Sequence, residues 1–277
     1  MPVAPTSPSR SAAFFDLDKT VIARSSALAF TRPFYDGGLL TRRALLRSTV
    51  AQLQLLLTSA RGDQADQVER LRKHVTDMCA GWDAETVRSI VSETLDEVVR
   101  PVIFSEAAAL IAEHKAAGRD IVLISASGLE MVEPIGRLLG ADLVRASVME
   151  VIDGRYSGEI EFYCYGEEKA TAMRRLAAER GYHLADSYAY SDSSTDIPML
   201  EAAGHRAVVN PDKTLRTYAE EQGWPILDFP NPAPLVDWSS PATIGWTAVA
   251  AAGVSAVAAA AVAYGISHRR HPRDAAA

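Results

Sequence analysis

Asp16-Leu17-Asp18-Lys19-Thr20 sets two carboxylates two residues apart, directly after the apolar run Ala12-Ala13-Phe14-Phe15. Such a run predicts a buried strand, and residues i and i+2 of a strand face the same side. Two acids at a strand's carboxyl end can therefore reach one substrate. The first, Asp16, can attack as a nucleophile and split a hard displacement into two easier steps. The second, Asp18, can protonate a leaving oxygen and later activate water. Ser125 ends a second apolar run, Ile121 to Ile124, where its hydroxyl can donate to a phosphate oxygen, and Ala126-Ser127-Gly128 then leads into a helix whose first amides favour anions. Lys169, near the start of a helical stretch, offers the point charge that a phosphoryl group needs. Tyr190 to Asp196 follows another strand and opens another helix. There Asp192 can hold a hard cation through oxygen, and Asp196 can steady Lys169 or a water from behind. Alone, each pattern also fits an ordinary solvated turn or helix cap.

The elements that must position these residues alternate. Helix 106–117 stops at Gly118, strand 120–125 leads to helix 130–139, and a strand at 142–146 follows. Residues 148–160 alternate about Asp153-Gly154, a hairpin signal. Helix 167–180, strand 187–191, helix 195–202, strand 206–209, helix 212–222 and strand 225–227 complete the series. This alternation predicts an α/β fold with a mainly parallel sheet and helices on both faces. Ligands of such sheets bind beyond the carboxyl ends of the strands, where all four polar clusters fall. Between the first strand and residue 100 the pattern is helical throughout, with helices over 41–58, 63–80 and 84–99, the last capped by Asp83.

The four clusters occur in the order, and at the strand ends and helix starts, of the haloacid dehalogenase superfamily, which residues 12–228 resemble. Within it the phosphoserine phosphatases of subfamily IB look most similar, on Ala207 to Asp212 and Gly223-Trp224-Pro225. The resemblance implies a Rossmann-like catalytic core over 12–25 and 101–228, with a helical type 1 cap inserted over 26–100. It implies Mg2+ held by Asp16, the Asp18 carbonyl and Asp192. It makes Asp16 the nucleophile, Asp18 the acid/base, Ser125 and Lys169 the phosphate-binding pair, and Asp196 their support. The reaction implied is hydrolysis of a small phosphorylated metabolite through an aspartyl-phosphate. Asp18 argues against dehalogenation, because the dehalogenases lack an acid there. Phosphoserine phosphatases carry an amine-binding Glu nine residues after the nucleophile, where this chain has Ser25. Their S-G-G and G-D-G-x-N-D motifs stand here as Ser125-Ala126-Ser127 and Ser191-Asp192-Ser193-Ser194-Thr195-Asp196. Phosphoserine and lipid-phosphate phosphatases therefore stand as alternatives, beside a membrane-anchored phosphate-binding module without turnover. Arg24 and Arg32, early in the cap, are candidates for contacting an acidic substrate, or are solvated surface arginines.

Composition bounds the partners. A formal net charge of −7 disfavours nucleic acid, though a local metal ion can reverse the field in a pocket. Apolar residues at 48% and charged residues at 23% suit a globular protein with a sizeable core. Cys79 and Cys164 form no CxxC pair, which predicts two reduced thiols, and no histidine spacing suggests zinc. Residues 1–11 are Pro- and Ser-rich, predicting disorder without a secretory signal. Residues 229–242 read as a proline-rich linker. Residues 244–266 carry no charge and are long enough to span a bilayer. A putting of 243–267 into the membrane competes with a soluble Ala-rich helix, and the spanning reading is preferred. The basic tail 268–277 would then face the cytoplasm by the positive-inside tendency, leaving the enzyme outside. With no export signal, a cytoplasmic catalytic domain, anchored by the C-terminal apolar helix, is the expectation.

Overall fold

The structure, a computed structural model, describes residues 10–41, 72–73 and 75–230. Of these, residues 10–33 and 81–230 form one compact unit, and 34–41, 72–73 and 75–80 belong to a second. The second shows helical residues at 34–36, 72–73 and 75–79. The helix expected over 41–58, most of that over 63–80, and the apolar segment 244–266 lie outside the described residues. Among the described residues no helix is long and apolar enough to cross a membrane.

The first unit is built on a seven-stranded sheet. Its strands are β1 (Ala12–Phe15), β2 (Asp120–Gly128), β3 (Leu143–Ile152), β4 (Arg155–Phe162), β5 (Tyr188–Ser191), β6 (His205–Val209) and β7 (Ile226–Leu227). The order is β4-β3-β2-β1-β5-β6-β7, parallel except for the β3–β4 hairpin. The chain leaves β1 toward β2 on one side and returns to β5 on the other. The crevice where a doubly wound sheet binds ligands thus opens beyond β1 and β5. Phe15 pairs with both Leu123 and Tyr190, so β1 and β5 end nearly level while β2 runs on beyond them.

All four residues of β1 are buried, as expected of a strand covered on both faces. One face packs Phe14, Val122 and Ile124 against Met173, Leu176, Leu200 and Leu215. Burying each such side chain stabilises by roughly 1.5–3 kcal/mol. The helices are α1 (Ser26–Ala29), α2 (Thr31–Asp36), α3 (Ala84–Val98), α4 (Ser105–Ala116), α5 (Leu129–Leu139), α6 (Glu167–Arg180), α7 (Ile197–Ala202) and α8 (Lys213–Gln222). Asp83 caps α3 as expected, accepting from the Thr86 amide at 2.8 Å.

Several boundaries differ from the sequence expectation, each for a visible reason. The strand at 142–146 and the first hairpin arm are one continuous strand, β3, because its start pairs with β2 and its end with β4. β2 continues past Ser125, since pairing resumes at Gly128 and Ser147 after a bulge. The helix expected from Thr195 begins with a 3-10 turn, Ser194–Asp196, before α7. Arg10 and Ser11, grouped by composition with the disordered terminus, are tied in at the amino end of the central strands. The Arg10 carbonyl accepts from the His183 amide at 2.8 Å, and its guanidinium pairs with Asp120.

Candidate active site

Asp16 is the first residue beyond β1. Its amide donates to the Tyr190 carbonyl at 2.9 Å, extending the pairing with β5 by one step. That contact directs its carboxylate into the crevice, and the residue is only 4% exposed. Lys169 reaches it from the first turn of α6 and donates to Asp16 Oδ1 at 2.6 Å and to Asp196 Oδ2 at 2.6 Å. Lys169 and Asp196 are likewise buried. Ser191, the last residue of β5, donates to the same Asp196 Oδ2 at 2.6 Å. Asp196 therefore stands behind the lysine, as its position in the sequence suggested.

Thr20 joins the remaining carboxylate. Its hydroxyl lies 3.2 Å from Asp16 Oδ2 and 3.4 Å from Asp192 Oδ1, so the two aspartates face a common space. Two features hold Asp192 there. Its carbonyl accepts from the Asp212 amide at 2.8 Å, and the Asp212 side chain accepts from the Ser194 amide at 2.7 Å while also capping α8. The acidic loop is thus strapped to the Asn210–Asp212 segment.

Three buried carboxylates surround one buried lysine, and the electrostatics follow. Burial pushes Asp16 up to about 7; Lys169 opposes the rise, and the charges of Asp196 and Asp192 reinforce it. Asp192 is pushed up to about 6, again by burial first, with Lys19 opposing and Asp196 reinforcing. Burial alone would lower Lys169, but Asp16 and Asp196 outweigh it and hold the ammonium above its usual value. The cluster carries an excess of negative charge that a hard cation would relieve. Among the described residues no group of three or more His, Cys, Asp or Glu is arranged to hold a metal. The two carboxylates that face a common space, Asp16 and Asp192, suit a hard cation such as magnesium, which usually takes one or two carboxylates and keeps waters and substrate phosphate as its other ligands.

Asp18 takes other partners. The strand has ended at Phe15, and just past Asp18 the chain turns at Lys19, φ 62°. Asp18 Oδ1 accepts from the Ser26 amide at 2.7 Å, and Oδ2 from the Ser127 hydroxyl at 2.8 Å. Ser125 is buried at the start of the β2 bulge, where its hydroxyl accepts from the Ser127 amide at 3.2 Å. Arg24 and Arg32 are both exposed. Thr20, Ser26, Ser127 and Ser191 are polar partners of the site that motif spacing did not single out individually. Thr20 ends the first motif, Ser127 and Ser191 stand inside the second and fourth clusters without a role of their own there, and Ser26 had no signal. The two cysteines are free, with Cys164 buried and its thiol pushed up to about 12 by burial.

Known proteins resemble this chain. The haloacid dehalogenase-like hydrolase family model matches residues 13–201. A probable phosphatase of Mycobacterium tuberculosis is 59% identical over 228 residues, covering 82% of this chain and 78% of that protein. The phosphoserine phosphatase SerB1 of the same organism is 33% identical over 219 residues, or 79% of this chain and 70% of that one. A histidinol-phosphatase of Neisseria meningitidis is 30% identical over 222 residues, or 78% and 98%. Among solved structures, a protein of unknown function from Bordetella pertussis aligns with a TM-score of 0.68 at 28% identity, covering 79% of this chain and 99% of that one. The parallel sheet, the four polar clusters at its rim and these relatives agree, and the chain belongs to the haloacid dehalogenase-like hydrolase family.

Proposed function

We propose that this hydrolase is a magnesium-dependent phosphatase that cleaves small phosphomonoesters through an aspartyl-phosphate on Asp16. The observation that carries the reading is the state of Asp16: buried, with one oxygen on Lys169 at 2.6 Å and the other sharing the Thr20 hydroxyl with Asp192. A carboxylate so held is aimed and cannot rotate away, which is what an in-line attack requires.

In this reading Asp16 attacks phosphorus and Asp18 gives a proton to the departing alkoxide. Asp18 then takes a proton from the water that attacks the aspartyl-phosphate, which frees Asp16 and releases phosphate. Lys169 balances charge on the phosphoryl oxygens and on Asp16, and Ser125 donates its hydroxyl to one of those oxygens. Magnesium would be held by Asp16, Asp192 and the Asp18 carbonyl, and when bound supplies further neutralisation of the phosphoryl charge. Asp196 and Ser191 keep Lys169 in place.

The relatives named for phosphoserine and for histidinol phosphate put amine-bearing substrates first on a trial panel. Ser25, in place of an amine-binding glutamate, argues against simply transferring phosphoserine specificity. The test is phosphate release with Mg2+ from a panel that includes phosphoserine, histidinol phosphate and lysophosphatidate. Turnover of at least one ester is expected, abolished by chelation and by Asp16→Asn with folding retained. An Asp16→Asn protein as active as the wild type would overturn the covalent route, and a wild type inert to the whole panel would favour a binding module.

A further inference from the structure

Asp18 is gripped from two sides of the sequence. The Ser26 amide donates to Oδ1 at 2.7 Å, and the Ser127 hydroxyl donates to Oδ2 at 2.8 Å. The Ser26 hydroxyl lies 3.2 Å from Oδ2 and 2.8 Å from the Ser127 hydroxyl, which closes the ring. Ser26 is fully buried, so no water competes for it. It opens α1, and the chain leading to it is tied down by the Ala23 amide on the Val102 carbonyl at 2.8 Å.

Ser127 arrives by a different device. β2 pairs Ser125 with Ala146 and then Gly128 with Ser147, so residues 126 and 127 are extra and swing out of the ladder. The Ser147 hydroxyl holds the bulge by donating to the Ala126 carbonyl at 2.7 Å, and accepts from the Cys164 amide at 3.1 Å. The bulge is thus a fixed bracket with Ser127 at its tip.

We infer that Ser127, backed by Ser26, is the positioning residue of Asp18 and sets the direction in which that carboxyl meets the leaving oxygen. The inference rests on the phosphatase reading above. The choice of hydroxyls has a chemical reason. Through the cycle Asp18 is first a carboxylic acid, losing its proton to the alkoxide as the P–O bond breaks. It is then a carboxylate, gaining a proton from water as the aspartyl-phosphate opens. A hydroxyl can donate to Oδ2 in both states, because the protonated oxygen keeps a lone pair to accept it while its own O–H points at the leaving oxygen. The Ser127–Ser26 pair can pass its hydrogens around in either sense, while the Ser26 amide serves the oxygen that never carries the proton. One bracket therefore holds one orientation in both states.

A basic leaving group needs the proton and a weakly basic one does not, so the role can be read from leaving-group dependence. The probes are benzyl phosphate and p-nitrophenyl phosphate, with kcat/KM reporting the phosphoryl-transfer step. General acid catalysis contributes about 10²–10⁴-fold, and Ser127→Ala should forfeit about tenfold of it on benzyl phosphate while p-nitrophenyl phosphate changes by less than about twofold. Ser127→Thr, which keeps the hydroxyl, should restore the wild-type ratio of the two substrates. Ser26→Ala keeps the amide donor and should move the ratio in the same direction by less. Equal losses on both probes would mark a merely structural serine and overturn the inference, as would an unchanged ratio in Ser127→Ala. If the wild type cleaves neither probe nor any ester of the panel, it is the phosphatase reading that fails, and this one with it.

Discussion

Lys169 ties the stability of the core to the proposed chemistry. Its ammonium is buried between Asp16 and Asp196 at 2.6 Å from each, so its removal strands two carboxylates in a low-dielectric setting. Breaking a buried pair from one side costs about 3–5 kcal/mol. Lys169→Met is therefore expected to lower the urea midpoint sharply in metal-free buffer and to abolish turnover. Asp16→Asn should lose turnover alone, because Lys169 keeps Asp196 as its counter-charge. Unfolding curves of the two variants beside the wild type would separate these outcomes, and equal stability in both would refute the account. The charged members of this cluster were legible in the sequence because each falls at a strand end or the start of a helix, where side chains converge. Ser26, Ser127 and Ser191 were not. A serine near a turn carries no mark of its partner, and theirs are set by tertiary approach from segments far away in the chain.

At the scale of elements, turn chemistry carried most of the reading, and it failed where two elements merge. Asp83 and Asp212 each cap the helix that follows them, and Asp153-Gly154 makes the β3–β4 turn with both residues at positive φ. The β2 bulge and the unbroken β3 were hidden because periodicity records which face a residue takes, not which neighbour it pairs with. Gly204 illustrates a constraint of the same tertiary kind. Its amide donates to the Leu184 carbonyl at 2.7 Å, and a Cβ added there would lie 1.7 Å from the Ala185 carbonyl oxygen. The obstruction is backbone and cannot rotate aside. Gly204→Ala should therefore push β6 off its register beside β5, at a cost of about 3 kcal/mol or more. A chemical-denaturation curve within about 0.5 kcal/mol of wild type would show that the Leu184–Asp186 turn gives way freely.

Across the whole molecule, the face of the sheet that carries α4 is closed by a buried histidine that takes no part in the proposed chemistry. His114 is 3% exposed, in edge-to-face contact with Phe15 of β1 and tilted against Tyr188 and Tyr190 of β5. Arg119 donates toward Nδ1 at 3.2 Å, which leaves Nε2 to donate to the Tyr190 hydroxyl at 2.8 Å, and Arg119 also lies over the Tyr188 ring. The imidazole is thus held neutral. Burial lowers its pKa to about 4, and the Arg119 charge adds to that. The unfolded chain, with an ordinary histidine near 6.5, takes up the proton first. Stability from this group is therefore complete above about pH 6.5 and lost as pH falls toward 4. His114→Gln cannot titrate in that window. Urea midpoints taken from pH 7 to pH 4 should fall more steeply for wild type than for His114→Gln, whatever the carboxylates contribute to both. Parallel curves would mean that the helix-to-sheet contact tolerates the imidazolium, and that the neutral imidazole between Arg119 and Tyr190 does not couple folding to pH.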